Sequence, residues 1–173
     1  VPASRELHGF FAKQGFFECF TQDEHHWTPE LGQKAPETLP KMKLVNAAEY
    51  GVLREGLLSK LGHIALPMDA LLYQAGCCRI DGGGMYLVGA PAGPAALCAE
   101  GTGDKTLLVK ELIGSPEAVD QIAAVLPQLL PKFGGTYRTL GDSVPFGMMK
   151  WLSPELDAAW DRDIRAYLGL AFD

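Results

Sequence analysis

GGGMYLVGAPAGPAALCAEGTGDKTLLVKELIGSPEAVDQIAAVL, residues 82–126, decides the fold. Three β-rich runs, Met85 to Gly89, Ala95 to Ala99 and Thr106 to Ile113, are separated by short glycine-bearing segments. Runs of that kind predict consecutive antiparallel strands, with Gly101 and Gly103 supplying the second turn. The stretch then changes period. Ser115 can accept a free backbone N–H, Pro116 fits a first helical turn, and Glu117 and Asp120 suit the positive end of a helix dipole. A helix is therefore predicted, burying Val119, Ile122, Ala123 and Leu126, with Pro127 threatening its last turn.

Working outward, KLVNA reads as a short strand, and Asn46 as the cap of a helix running to about Gly62. Its apolar face is Tyr50, Leu53, Leu57, Leu58 and Leu61. DALLYQAG gives a second helix. Beyond the central stretch, GTYRTL, FGMMKWL and AYLGLAF are strand candidates. At the start, Leu7, Phe10 and Phe11 lie at helical spacing and Gly15 stands where a C-terminal cap belongs; FFECFTQ then reads as a strand. TPELGQKAPETLP, with Pro29, Gly32, Pro36 and Pro40, has the composition of a linker. The expected division is thus 1–28, a linker at 29–40, and a main domain at 41–173.

Composition excludes several functions. Of 173 residues, 47% are hydrophobic and 21% charged, enough for a sizeable core. Acidic residues outnumber basic ones 21 to 15, for a net charge of −6. No stretch concentrates Lys and Arg, so nucleic acid is not an expected partner. No apolar run approaches the ~20 residues of a membrane helix, and no secretory signal is visible. The four cysteines, Cys19, Cys77, Cys78 and Cys98, fit neither a disulfide framework nor a zinc site. They read as reduced thiols of a cytoplasmic protein, packed as small hydrophobes.

Two pieces of this pattern resemble the GNAT superfamily of acyl-CoA N-acyltransferases. In FFAKQGFF, the residues Phe10, Phe11, Lys13, Gly15 and Phe16 occupy an F-Y-x-K-x-G-F pattern found near the end of GNAT domains. From Lys41 to Asp173, the order of a strand, two helices, a three-strand meander, a helix and further strands is similar to a second, degenerate copy of the fold. FGMMKWL … YLGLAFD looks like the C-terminal region of two-lobe bacterial GNAT proteins. The resemblance implies an α/β (α+β) fold with a mixed, mainly antiparallel sheet flanked by helices. It also implies that residues 1–28 are the remnant of an upstream GNAT domain. For the intact protein it implies acetyl-CoA as cofactor and a small-molecule or peptide amine as acceptor, with a homodimer as one arrangement.

Some residues depart from that family. GNAT enzymes hold the CoA pyrophosphate in an R/Q-x-x-G-x-G/A loop at a helix N-terminus, where unpaired N–H groups meet the anion. The matching junction here, KELIGSPEAVD, has one glycine, a self-capping serine, a proline without a donor and two carboxylates. No cofactor-binding residue is expected on this chain. Phe11 stands where many members carry the tyrosine that protonates CoA thiolate, so the catalytic residues are unknown. Glu111 is the one candidate: the family often places a carboxylate there that orders water and deprotonates the amine. Its structural alternative is a strand-end carboxylate paired with Lys110 or another exposed cation.

Other groups read as structural. His25 and His26, beside Asp23 and Glu24, would point to opposite faces of a strand and do not make a metal site. Cys98 with His63 is a conceivable thiol–imidazole pair, against a simple buried thiol. DGGGM is a tight turn or an anion nest, EGTGDK a hairpin. Tyr86, Tyr137, Trp151 and Tyr167 read as core or sheet surface. The expected role is an accessory or acceptor-pocket lobe, with a non-catalytic binding or oligomerisation domain as its rival.

Overall fold

The computed structural model describes residues 1–2, 4–29, 39–80, 82–103, 105–131 and 133–170. Most of the proline-rich linker, residue 81 of the DGGGM turn and residue 104 of the EGTGDK turn lie outside the described residues. The elements are α1 (Arg5–Lys13), β1 (Phe17–Trp27), β2 (Lys41–Leu44), α2 (Ala47–Leu58), α3 (Met68–Ile80), β3 (Gly84–Ala90), β4 (Gly93–Gly103), β5 (Thr106–Ile113), α4 (Pro116–Ala123), α5 (Leu126–Leu129), β6 (Gly134–Met149) and α6 (Pro154–Ala159). They form one mixed six-stranded sheet in the order β1-β6-β5-β4-β3-β2. Strands β2 to β5 pair antiparallel, and β5 pairs parallel with β6. This is the GNAT-like arrangement that the element order predicts.

The predicted meander forms where expected. Met85 faces Cys98 across β3 and β4, and Cys98 faces Glu111 across β4 and β5. Helix α2 starts as its sequence dictates. Asn46 Oδ1 accepts the Glu49 N–H at 2.9 Å, and the Glu49 carboxylate accepts the Asn46 N–H at 3.0 Å, a reciprocal capping box. Ser115 caps α4 by accepting the Ala118 N–H at 3.2 Å. Pro127 divides the predicted helix, which ends at Ala123 and resumes as the single turn of α5.

Two compact units emerge. The larger comprises residues 24–60 and 65–139; the smaller comprises 1–23, 61–64 and 140–173. Strands β1 and β6 run through both. In the larger unit, both faces of β4 are covered, because Ala95 through Ala99 are all fully buried. Leu97 and Ala99 join Val88, Leu107, Val109, Leu112, Ile122 and Leu126 in an apolar core under α4. The intervening side chain, Cys98, must then face the other way, and it meets Cys78 of α3.

The smaller unit joins the two ends of the described chain. Ala166 N–H donates to the Cys19 carbonyl at 2.8 Å, and Tyr167 N–H to the Gly62 carbonyl at 2.8 Å. His8 of α1 meets Glu18 at 2.6 Å, and the Arg162 guanidinium lies 3.8 Å from the Phe17 ring centre. Trp151 and Trp160 pack with ring centres 5.6 Å apart.

Several sequence expectations are corrected here. Helix α2 ends at Leu58, so Leu61 is outside it and exposed. On α1 the buried residue is His8, whereas Leu7 and Phe10 are exposed. GTYRTL and FGMMKWL are not separate strands but one, β6, which stops at Met149. The Gly-Asp-Ser-Val-Pro stretch between them stays extended because the Asp23 carboxylate accepts both the backbone N–H and the hydroxyl of Ser143. Gly141 permits this approach, since a β-carbon there would lie 2.0 Å from the Asp23 carboxyl carbon. Of AYLGLAF, the described residues 166–170 make isolated bridges at Ala166 and Tyr167, and Gly169 at φ 69° turns the backbone out of strand geometry. Helix α6 was not anticipated, although Ser153-Pro154-Glu155 repeats the signal that begins α4.

Candidate functional site

One residue of extra length in β5 builds a buried polar site. Cys98 pairs with Glu111 and Ala99 with Val109, leaving Lys110 as an additional residue in β5. The same bulge appears against β6, where Val109 pairs with Tyr137 and Leu112 with Thr139. A bulge re-aims side chains without ending the strand. Here Val109 and Leu112 both stay on the apolar face with α4, and both Lys110 and Glu111 turn toward α2 and α3.

Glu111 is fully buried. Its carboxylate accepts the Tyr50 hydroxyl at 2.7 Å and the Arg54 Nε–H at 3.1 and 3.3 Å to its two oxygens. Tyr50 and Arg54 are four residues apart on α2, one turn along one face. Arg54 is itself fully buried and reaches Glu55 at 3.2 Å. Sequence reasoning missed Arg54, which lies beside Leu53 on a helix whose apolar residues drew the reading. The available signal was a lone arginine four residues after a face-defining tyrosine.

A second polar group adjoins it. Lys110 Nζ lies 3.4 Å from Gln74 Oε1 and 3.5 Å from Glu100 Oε2. Gln74 donates from Nε2 to Glu100 at 2.8 Å and to the Cys78 sulfur at 3.5 Å. Cys78 Sγ is 3.5 Å from Cys98 Sγ. Hydrogen bonding from Cys98 lowers the Cys78 thiol, assisted by Gln74 and opposed by burial. The same contact, with burial, holds the Cys98 thiol well above its ordinary value. All four cysteines are free thiols. In the smaller unit, burial pushes the Cys19 thiol up to about 11.

The helix start at KELIGSPEAVD uses its own residues for capping. Pro116 has no N–H, Ala118 gives its N–H to Ser115, and the remaining first-turn donor belongs to Glu117. Gly114 leaves no cradle, because a β-carbon there would sit 3.0 Å from the Ala95 side chain. Gly83 serves close packing in the same way: a β-carbon would be 2.1 Å from the Ala99 carbonyl oxygen.

The other sequence candidates stand apart from these clusters. His25 stacks on Tyr137 at 4.8 Å between ring centres, and His26 meets Thr136 at 3.0 Å. Among the described residues, no group of three or more His, Cys, Asp or Glu side chains is placed to hold a metal ion. In the smaller unit, His63 Nδ1 lies 2.9 Å from the Leu61 carbonyl. That unit also has a pocket of about 140 Å³ lined by Thr21, Gly62, Gly141, Arg165 and Tyr167 among others.

No helix among the described residues is long and apolar enough to cross a membrane. Comparison with protein-family models and with curated protein sequences gave no match. Among solved structures, the chain is similar to a conserved protein of unknown function from Enterococcus faecalis V583, a probable N-acyltransferase. The TM-score is 0.52 at 13% sequence identity, over 80% of this chain and 36% of that one. The chain thus spans about a third of that protein's length, and what the two share is the fold.

Proposed function

We propose that this chain is part of a GNAT-family N-acyltransferase that moves an acetyl group from acetyl-CoA to an amine, and that residues 41–173 are its accessory or acceptor-pocket lobe. The observation that carries this reading is the start of α4. In a GNAT-like order that helix follows the third meander strand, where a CoA pyrophosphate would need free N–H donors. Here Pro116 has no N–H, Ser115 takes that of Ala118, and Glu117 adds a carboxylate, an arrangement that disfavours an anion. Acetyl-CoA would therefore be held by another part of the intact, cytoplasmic protein, and the acceptor would be a small molecule or peptide bearing an amine. In this reading Glu111 holds Arg54 and Tyr50 under α2 and does not meet the acceptor, since its oxygens are engaged and closed to solvent.

Isothermal titration of this chain with acetyl-CoA is the test. The expected result is no saturable heat. A dissociation constant in the low micromolar range, about −8 kcal/mol, would overturn the reading. Retention of amines without turnover by the intact protein would favour a non-catalytic binding lobe instead.

A further inference from the structure

Cys78 and Cys98 come from facing elements, α3 and β4, and their sulfurs are 3.5 Å apart with both residues fully buried. A disulfide needs about 2.05 Å, so closing the bond requires the sulfurs to approach by only ~1.5 Å. Buried cysteines usually pack as small hydrophobes among apolar side chains. These two do not. Gln74 donates to the Cys78 sulfur, and the Lys110 ammonium belongs to the same cluster, favouring thiolate there against burial and the Glu100 charge; Glu111 disfavours thiolate at Cys98. The cluster is not sealed, because the Glu100 side chain is 28% exposed.

We propose that Cys78 and Cys98 are a redox-modification site, at which a peroxide forms an intrachain disulfide joining α3 to β4. The two sulfurs have different parts. The Cys78 thiolate attacks the peroxide O–O bond, gaining one oxygen as a sulfenic acid and releasing hydroxide, which leaves as water. The Cys98 thiol then attacks the sulfenic sulfur, the S–S bond forms, and a second water departs. Two thiols lose two electrons and one peroxide gains them. The division of roles follows the lowered Cys78 and raised Cys98 thiols. Cys77 is excluded as the partner of Cys78, since a bond between neighbours closes a strained ring, and its side chain engages Tyr73.

The test treats the folded chain with hydrogen peroxide, blocks remaining thiols with N-ethylmaleimide in denaturant, and maps unreduced tryptic peptides by mass spectrometry. Two of the four thiols should be lost together, in a linked pair of peptides 61–79 and 80–105 that dithiothreitol separates. Cys77 and Cys78 share the first peptide, so Cys77→Ala should retain the link and Cys78→Ala should abolish it. Cys98→Ala should stop at a sulfenic acid on Cys78 that dimedone captures. A link that survives Cys78→Ala, or wild-type oxidation to sulfinic acid with no cross-link, would overturn the proposal. The wild-type peptide map decides even if a variant fails to fold.

Discussion

Strands β4 and β5 have two faces that solve the same burial problem in opposite ways. Toward α4, Leu97, Ala99, Leu107, Val109, Leu112 and Ile122 form an apolar layer. Toward α2 and α3, the same two strands bury an ion pair, a thiol pair, a lysine and a glutamine. The Arg54–Glu111 pair is as fully buried as the apolar layer, so the difference between them is not one of solvent. It comes from the bulge at Lys110, which gives the second face two consecutive polar side chains while leaving the first face in phase. Apolar packing stabilises wherever area is covered. A buried ion pair stabilises only while every member is present, so the second face is the one whose failure should be abrupt.

The largest expected effect tests that asymmetry. Arg54→Ala strands the Glu111 carboxylate without its cation in a fully buried site, and should cost about 3–5 kcal/mol. The double substitution Arg54→Met with Glu111→Leu should recover most of that loss. Urea midpoints of the single and double variants decide it. A cost below about 1 kcal/mol for the single variant, typical of an exposed pair, would mean that water reaches Glu111, and the contrast between faces would collapse. On the apolar face, Ile122→Ala should cost about 2–4 kcal/mol through lost area and a cavity. No second substitution of a charge partner should restore it.

The two faces were unequally legible in the sequence. Alternation and glycine turns announce β3, β4 and β5, and Ser115-Pro116-Glu117 announces α4, because these signals are local. The bulge is a matter of register between strands. One extra residue in KTLLVKELI looks no different from an ordinary run, so nothing local shows Lys110 and Glu111 turning the same way. Arg54 was missed for a related reason: its spacing from Tyr50 is a weak local signal that becomes decisive only once its carboxylate partner, 57 residues away, is in place. Glu111 was singled out by family resemblance, not by spacing. Likewise the continuity of β6 depends on Asp23, far off in sequence, which holds Ser143 extended. At α6 the miss had no such excuse, since its Ser-Pro-Glu start is as local as that of α4.

A smaller effect concerns how α4 is placed over the apolar face. Ser115→Ala removes the acceptor of the Ala118 N–H and should cost about 1 kcal/mol, the usual value of an N-cap. Ser115→Asp should retain the cap and most of the stability. Thermal melts of the two variants test this. Equal losses would mean that the hydroxyl serves a purpose other than capping.

The smallest effect belongs to the polar face and depends on pH. Helix α2 carries Tyr50 and Arg54 to Glu111, and its capping box fixes the residue at which the helix begins. The Glu49 carboxylate is held below its ordinary value, chiefly by accepting the Asn46 N–H and then by the Lys43 charge. A depressed carboxylate stabilises the folded state fully above its unfolded pKa, about 4.3 for glutamate. That contribution fades as pH falls through the lower folded value, because protonation is then favoured by unfolding. Glu49→Gln can still accept the Asn46 N–H, but it cannot titrate. Between about pH 5 and pH 3, wild-type stability should therefore fall more steeply than that of Glu49→Gln, and urea midpoints across that range measure the difference. Parallel curves would show that the box works without the charge. A steeper fall in the variant would contradict the sign of the shift.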